Sequence, residues 1–149
     1  MLPIKRILCP TDFTTASAQA LETAAELAEH FGATLYVVHA VHPLPAGGGS
    51  ARLEAFDIVG YEKELVEAAR NRLRGFTSAI SPIAVQLRRM VLHGSPAEKV
   101  IELAEEEKID VIVTATHGRS GLQQLFFGSV AWKIVRHAPC PVLTIHPHH

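Results

Sequence analysis

A surplus of positive charge is the first thing this chain lacks: 14 Lys and Arg stand against 15 Asp and Glu, a formal charge of −1. Binders of nucleic acid or anionic membrane carry a basic footprint, so neither partner is expected. Long apolar runs are missing as well. None approaches the ~20 residues of a membrane-spanning helix, and Met1-Leu2-Pro3-Ile4-Lys5-Arg6 has no apolar segment of secretory length. Cysteine is scarce. Cys9 closes an apolar run and Cys140 stands between two prolines, with no CxxC spacing. They read as two small, half-buried hydrophobes in a reducing compartment rather than a disulfide or metal pair. A cytoplasmic location is the expectation.

Several catalytic signatures are absent too. Without GxxxxGK[ST] there is no Walker lysine to reach β- and γ-phosphates. No GxGxxG follows the first strand, which disfavours a dinucleotide dehydrogenase. GxSxG is missing, so a hydrolase nucleophile elbow has no support. HExxH and other tight metal spacings do not occur. Histidine is frequent, at nine, yet the tail His146-Pro147-His148-His149 reads as a disordered end, with 147–149 outside the domain.

What remains is a folded domain. Hydrophobic residues make up 48% and charged residues 19% of 149, globular chemistry rather than disorder. The length suits one domain of ~100–200 residues, large enough to bury roughly 68–70% of its unfolded surface.

Strand and helix signals alternate along it. Ile4–Cys9 is a short apolar run ended by Pro10. From Thr14 to Phe31 the positions Leu21, Ala24, Ala25, Leu27, Ala28 and Phe31 recur at helical spacing, and Gly32 supplies a left-handed stop. Thr34–Val41 is rich in β-branched and aromatic residues. An irregular stretch from His42 to about Ala55 contains Gly47-Gly48-Gly49. Tyr61, Leu65, Ala69, Leu73, Phe76 and Ile80 mark a second helix. Ile83–Leu92 is a third strand, with Arg88 and Arg89 signalling an edge. Ser95, Pro96 and Glu98 form a capping-box pattern for the next helix. Ile109–Ala115 is apolar throughout, as in a central parallel strand. A glycine-bearing loop from Thr116 to Phe127 leads into a helix over Ser129–His137, and Val142–Ile145 is the fifth strand. The pattern predicts an α/β domain: one five-stranded parallel sheet with helices on both faces.

In such sheets ligands bind beyond the carboxyl ends of the strands, where strand order reverses. Pro10-Thr11-Asp12 follows the first strand. Gly118, Arg119 and then Gly128-Ser129-Val130 follow the fourth. Glycines let main-chain amides approach an anion, and a helix start favours negative charge. Ser129 adds a hydroxyl, and Arg119 is the loop's single cation. Asp12 suits a ribose hydroxyl or an adenine amine as hydrogen-bond acceptor. Plainer readings stand beside these. Glycines near a helix start are often turn punctuation, Asp12 fits equally as a helix cap, and Ser129 is compatible with either role. His117 has no visible partner, and Trp132 reads as a packing or interface residue.

At these residues the sequence resembles the universal stress protein family, across essentially the whole chain. Ile7-Leu8-Cys9-Pro10-Thr11-Asp12-Phe13 is similar to its first-strand signature. Leu35–Ala40 resembles its second strand and Gly94-Ser95-Pro96-Ala97 the start of its third helix. The stretch Thr116–Ile145 is the most specific. The family's ATP-binding branch carries a glycine, two residues, a glycine, nine residues, then Gly-Ser or Gly-Thr; here the string runs from Ala115 through Gly118 to Gly128-Ser129, with alanine at the first glycine.

The resemblance implies a Rossmann-like fold of the adenine nucleotide alpha hydrolase type, strand order 3-2-1-4-5, over a domain of residues 1–146. It implies that Asp12 meets the ribose or adenine, the Ala40 backbone reads the adenine edge and Ala115 lies beside the ribose. Gly118, Gly128, Ser129 and the Val130 amide would hold phosphates with a magnesium ion. It further implies a homodimer through strand 142–145. With that strand order Cys9 and Cys140 lie apart, and no disulfide between them is expected. The function implied is binding of ATP, or of AMP or ADP, by a stress-response or regulatory protein with little or no hydrolysis and no catalytic residue. A slow ATPase and a nucleotide-free dimeric interaction module are the alternatives, the second kept open by Ala115.

Overall fold

A computed structural model describes residues 2–42, 58–80, 85–116 and 128–147. Its strands are β1 (Arg6–Pro10), β2 (Thr34–Val41), β3 (Gln86–His93), β4 (Val111–Ala115) and β5 (Val142–Ile145). The helices are α1 (Thr15–Phe31), α2 (Ile58–Thr77), α3 (Pro96–Glu106) and α4 (Ser129–His137), with a 3-10 turn over Ser78–Ile80. The sheet has five parallel strands in the order β3-β2-β1-β4-β5. This is the Rossmann-like arrangement, and β1 sits at its centre.

Alternation along β1 builds both halves of the core, because successive strand residues point to opposite faces. Ile7 and Cys9 join Leu35, Val37 and Val113 beneath α1 and Leu73 of α2. Leu8 faces the other way, with Tyr36, Val38 and Ile112 against Val100, Leu103 and Ala104 of α3 and Ile134 of α4. Ile7, Leu8 and Cys9 are wholly buried. Ala20, Ala24 and Ala28 recur at four-residue spacing on the buried face of α1. Their small side chains let the helix lie close on the sheet. At its end Gly32 takes φ 65°, the left-handed conformation a Cβ would oppose, and its N–H turns back to Ala28 and Glu29.

Differences from the sequence reading have local causes. β1 begins at Arg6 rather than Ile4 because the amides of Lys5 and Arg6 donate to the Asp110 carboxylate at 2.8 and 2.9 Å. The Ile109 amide closes the end of α3 on Ala104, so β4 starts at Val111. Ser95 is the N-cap of α3 but makes no side-chain cap bond; the Ser95–Glu98 pattern marks the helix start without forming the box. The edge position of β3 matches its arginines. Cys9 and Cys140 are free thiols, in the cores on opposite faces of the sheet. No helix among the described residues is long and apolar enough to cross a membrane.

Candidate functional site

The crossovers part company on either side of β1: its own runs through α1 to β2, while the chain returns through α3 to β4. Their carboxyl ends open a cavity of about 320 Å³, the lower end of the ~300–1,000 Å³ usual for small-molecule sites. β1 and its turn contribute Pro10, Thr11 and Asp12; β2 contributes Val38, His39 and Ala40. Thr114, Ala115 and Thr116 close β4's side, and Gly128, Ser129, Val130 and Ala131 the α4 side. Ser17 of α1 and Pro96 and Val100 of α3 complete the wall. The lining thus combines apolar side chains, at Val38, Ala40, Pro96 and Val100, with a carboxylate, hydroxyls and main-chain amides.

Asp12 is held by its own turn. Thr14, not Asp12, is the N-cap of α1, accepting from the Ser17 amide at 3.2 Å. The Asp12 carboxylate receives the Thr14 amide at 3.0 Å, the Thr14 hydroxyl at 2.5 Å and the Ser17 hydroxyl at 2.6 Å, all on Oδ1. The Asp12 amide returns a bond to Ser17 Oγ at 3.2 Å. Among the described residues no donor reaches Oδ2, so that oxygen is available as an acceptor at the cavity wall.

Its neighbours are fixed from β2. The Thr11 amide donates to Val38 O at 2.9 Å, and His39 Nδ1 lies 2.8 Å from Thr11 O. A carbonyl oxygen only accepts, so Nδ1 carries the hydrogen. Phe13, next along, has φ 66°, left-handed backbone that is a true outlier for a bulky side chain and costs about 1–3 kcal/mol.

Opposite lies the start of α4. Its N-cap is Gly128, with no side-chain cap bond, and Ser129 is the first helical residue. The Gly128 amide is engaged by Thr116 O, and the first intrahelical bond comes from Trp132. The amides of Ser129, Val130 and Ala131 therefore have no acceptor among the described residues. Three such donors at a dipole's positive end form an anion-binding surface. Thr116 is itself fixed on β5, its amide donating to Ile145 O at 3.0 Å.

The structure thus brings Pro10, Thr11, Asp12, Ala40, Ala115, Gly128, Ser129 and Val130 together around one cavity. Gly118 and Arg119 lie outside the described residues, as do His117, Gly47-Gly48-Gly49 and the last two histidines. Ser17 escaped the sequence reading. Its signal was the Asp12-x-Thr14-x-x-Ser17 spacing, a cap with an acid in front. Among the described residues no group of three or more His, Cys, Asp or Glu could hold a metal.

Fold and site together define a doubly wound α/β domain with a cleft at its topological switch point. The family model described as "Universal stress protein family" matches residues 3–146. Universal stress protein A homolog 1 of Coxiella burnetii is 35% identical over 144 residues, 95% of this chain and 95% of that protein. A universal stress protein of Methanocaldococcus jannaschii is 31% identical over 141 residues, 95% of this chain and 81% of the relative. The chain belongs to the universal stress protein family. Among solved structures, UspA from Lactobacillus plantarum matches with a TM-score of 0.80 at 22% identity, covering 95% of this chain and 97% of that one. The universal stress protein from Archaeoglobus fulgidus in complex with dAMP matches with a TM-score of 0.66 at 25% identity, covering 97% and 99%.

Proposed function

We propose that the cavity binds an adenine nucleotide, and that the protein acts as a nucleotide-responsive regulator rather than a rapid enzyme. One observation carries this reading. A carboxylate with one oxygen uncommitted among the described residues and a helix N-terminus with three uncommitted amides line the same cavity. The base would rest on Val38, Ala40, Pro96 and Val100, with the Ala40 backbone at its edge. Asp12 Oδ2 accepts from a ribose hydroxyl or the exocyclic amine, and Ala115 borders the ribose. The phosphates meet the amides of Ser129, Val130 and Ala131 and the Ser129 hydroxyl, while Gly128 forms the wall they approach. Gly118 and Arg119 belong to the same site in this reading. The dAMP complex of the Archaeoglobus fulgidus relative supports this ligand class.

ATP is the expected form, with AMP or ADP as alternatives. A magnesium ion takes oxygen ligands, and the described lining offers the Ser129 hydroxyl for one accompanying the phosphates. When bound it would neutralise phosphate charge. Among the described residues the lining has no lysine or arginine, so the phosphate contacts they supply are neutral amides and a hydroxyl, with Arg119 the one cation this reading adds. Slow phosphate release is the expected result of a turnover assay.

Calorimetric titration with ATP and AMP tests the reading. Gly128→Val should abolish binding with the fold intact, because Gly128 sits at φ −64°, a backbone open to any residue. Asp12→Asn should weaken binding by about 10–100-fold, the range of a hydrogen bond to a charged group. Unchanged affinity in Gly128→Val would move the phosphate site elsewhere.

A further inference from the structure

Phe13 is the one bulky residue in the ligand-facing turn with left-handed backbone, at φ 66°, and it is clamped on three sides. The His39 ring lies 4.4 Å away at 39°. Phe76 of α2 meets it edge-on at 5.5 Å. The Arg72 guanidinium, from the same helix, stands 4.5 Å above the ring, within cation–π range. The Phe13 amide donates to Thr11 Oγ1 at 2.9 Å, so the turn is closed on both sides of Asp12.

We infer that Phe13 is a positioning residue for Asp12, and that α2 reaches the ligand cavity through it. Phe13 itself does not line the cavity. A glycine would adopt this backbone freely; a phenylalanine is held in it by the grip of His39, Phe76 and Arg72 on its ring. Releasing the ring lets the turn relax toward φ below zero. That rotation carries the neighbouring peptide, and with it the Asp12 carboxylate, away from its station. No residue of α2 is among those that line the cavity, and its Phe76 and Arg72 both meet the Phe13 ring, so this ring gives a shift of α2 against β2 a route to the ligand. The inference rests on the adenine-nucleotide reading of the cavity.

A double-mutant cycle read by calorimetric titration with AMP tests it, alongside thermal unfolding of every variant. Phe13→Ala should weaken binding about tenfold in the parent and less than about twofold in an Asp12→Asn background, the non-additivity of two residues acting through one contact. Should Phe13→Ala fail to fold, Phe76→Leu, which keeps apolar volume and loosens the grip, replaces it in the same cycle. Equal losses in both backgrounds would overturn the positioning role while leaving the nucleotide site standing. If the parent binds no adenine nucleotide, the reading of the cavity fails, and this inference with it.

Discussion

The Asp12 carboxylate owes its orientation to two hydroxyls. Thr14 and Ser17 both spend a donor on Oδ1; the Thr14 hydroxyl also caps α1 by accepting from the Ser17 amide, while Ser17 Oγ accepts from the Asp12 amide. Ser17→Ala should therefore weaken nucleotide binding with less effect on stability, whereas Thr14→Ala removes the cap and costs about 1 kcal/mol. Chemical denaturation against titration separates the two. Cys9 shows burial acting alone: desolvation pushes its thiol from 9.0 up to about 12. The folded chain keeps that proton when the unfolded chain loses it. Its contribution to stability is therefore complete below pH 9.0 and falls away as pH rises toward about 12. The loss of stability between pH 8 and pH 10 should be smaller in Cys9→Ala than in the parent. The Cys140 thiol is also raised, by burial and then by Asp110, but it is only half-buried. A thiol reagent at pH 8 should label Cys140 first and Cys9 only as fast as the chain unfolds.

Periodicity made the elements legible: β2, α4 and β5 run over the residues that alternation and apolar spacing assign. Their edges were less so, because a strand's start depends on partners far along the chain, as with Asp110 taking the amides of Lys5 and Arg6 where β1 begins. The two sheet edges also differ in kind. β3 carries Arg88 and Arg89, which discourage pairing with another strand. β5 has no charge, and its Leu143 is 40% exposed. We infer that two copies pair through β5. Leu143→Lys should shift sedimentation from dimer to monomer while the circular dichroism is unchanged; a monomeric parent would contradict this.

Across the whole molecule, the order β3-β2-β1-β4-β5 is what joins residues scattered from Pro10 to Ala131. Asp12, Ala115 and Ser129 were legible in the sequence because each directly follows or closes a strand or opens a helix, and topology alone carries such residues to the crevice. Ser17, Val38 and Val100 were not, since each lies within an element and reaches the cavity only through packing. The occupied amide of Gly128 was equally hidden: glycine spacing reports where a backbone can be approached, not which N–H is already spent. The central claim is that the uncommitted amides at the start of α4 receive an anion opposite Asp12. An amide proton–nitrogen correlation spectrum titrated with ATP tests it most directly. The largest shifts are predicted at Ser129, Val130 and Ala131, with a second group at Asp12 and Ala40. Shifts confined to other surfaces, with those amides unmoved at saturation, would contradict it.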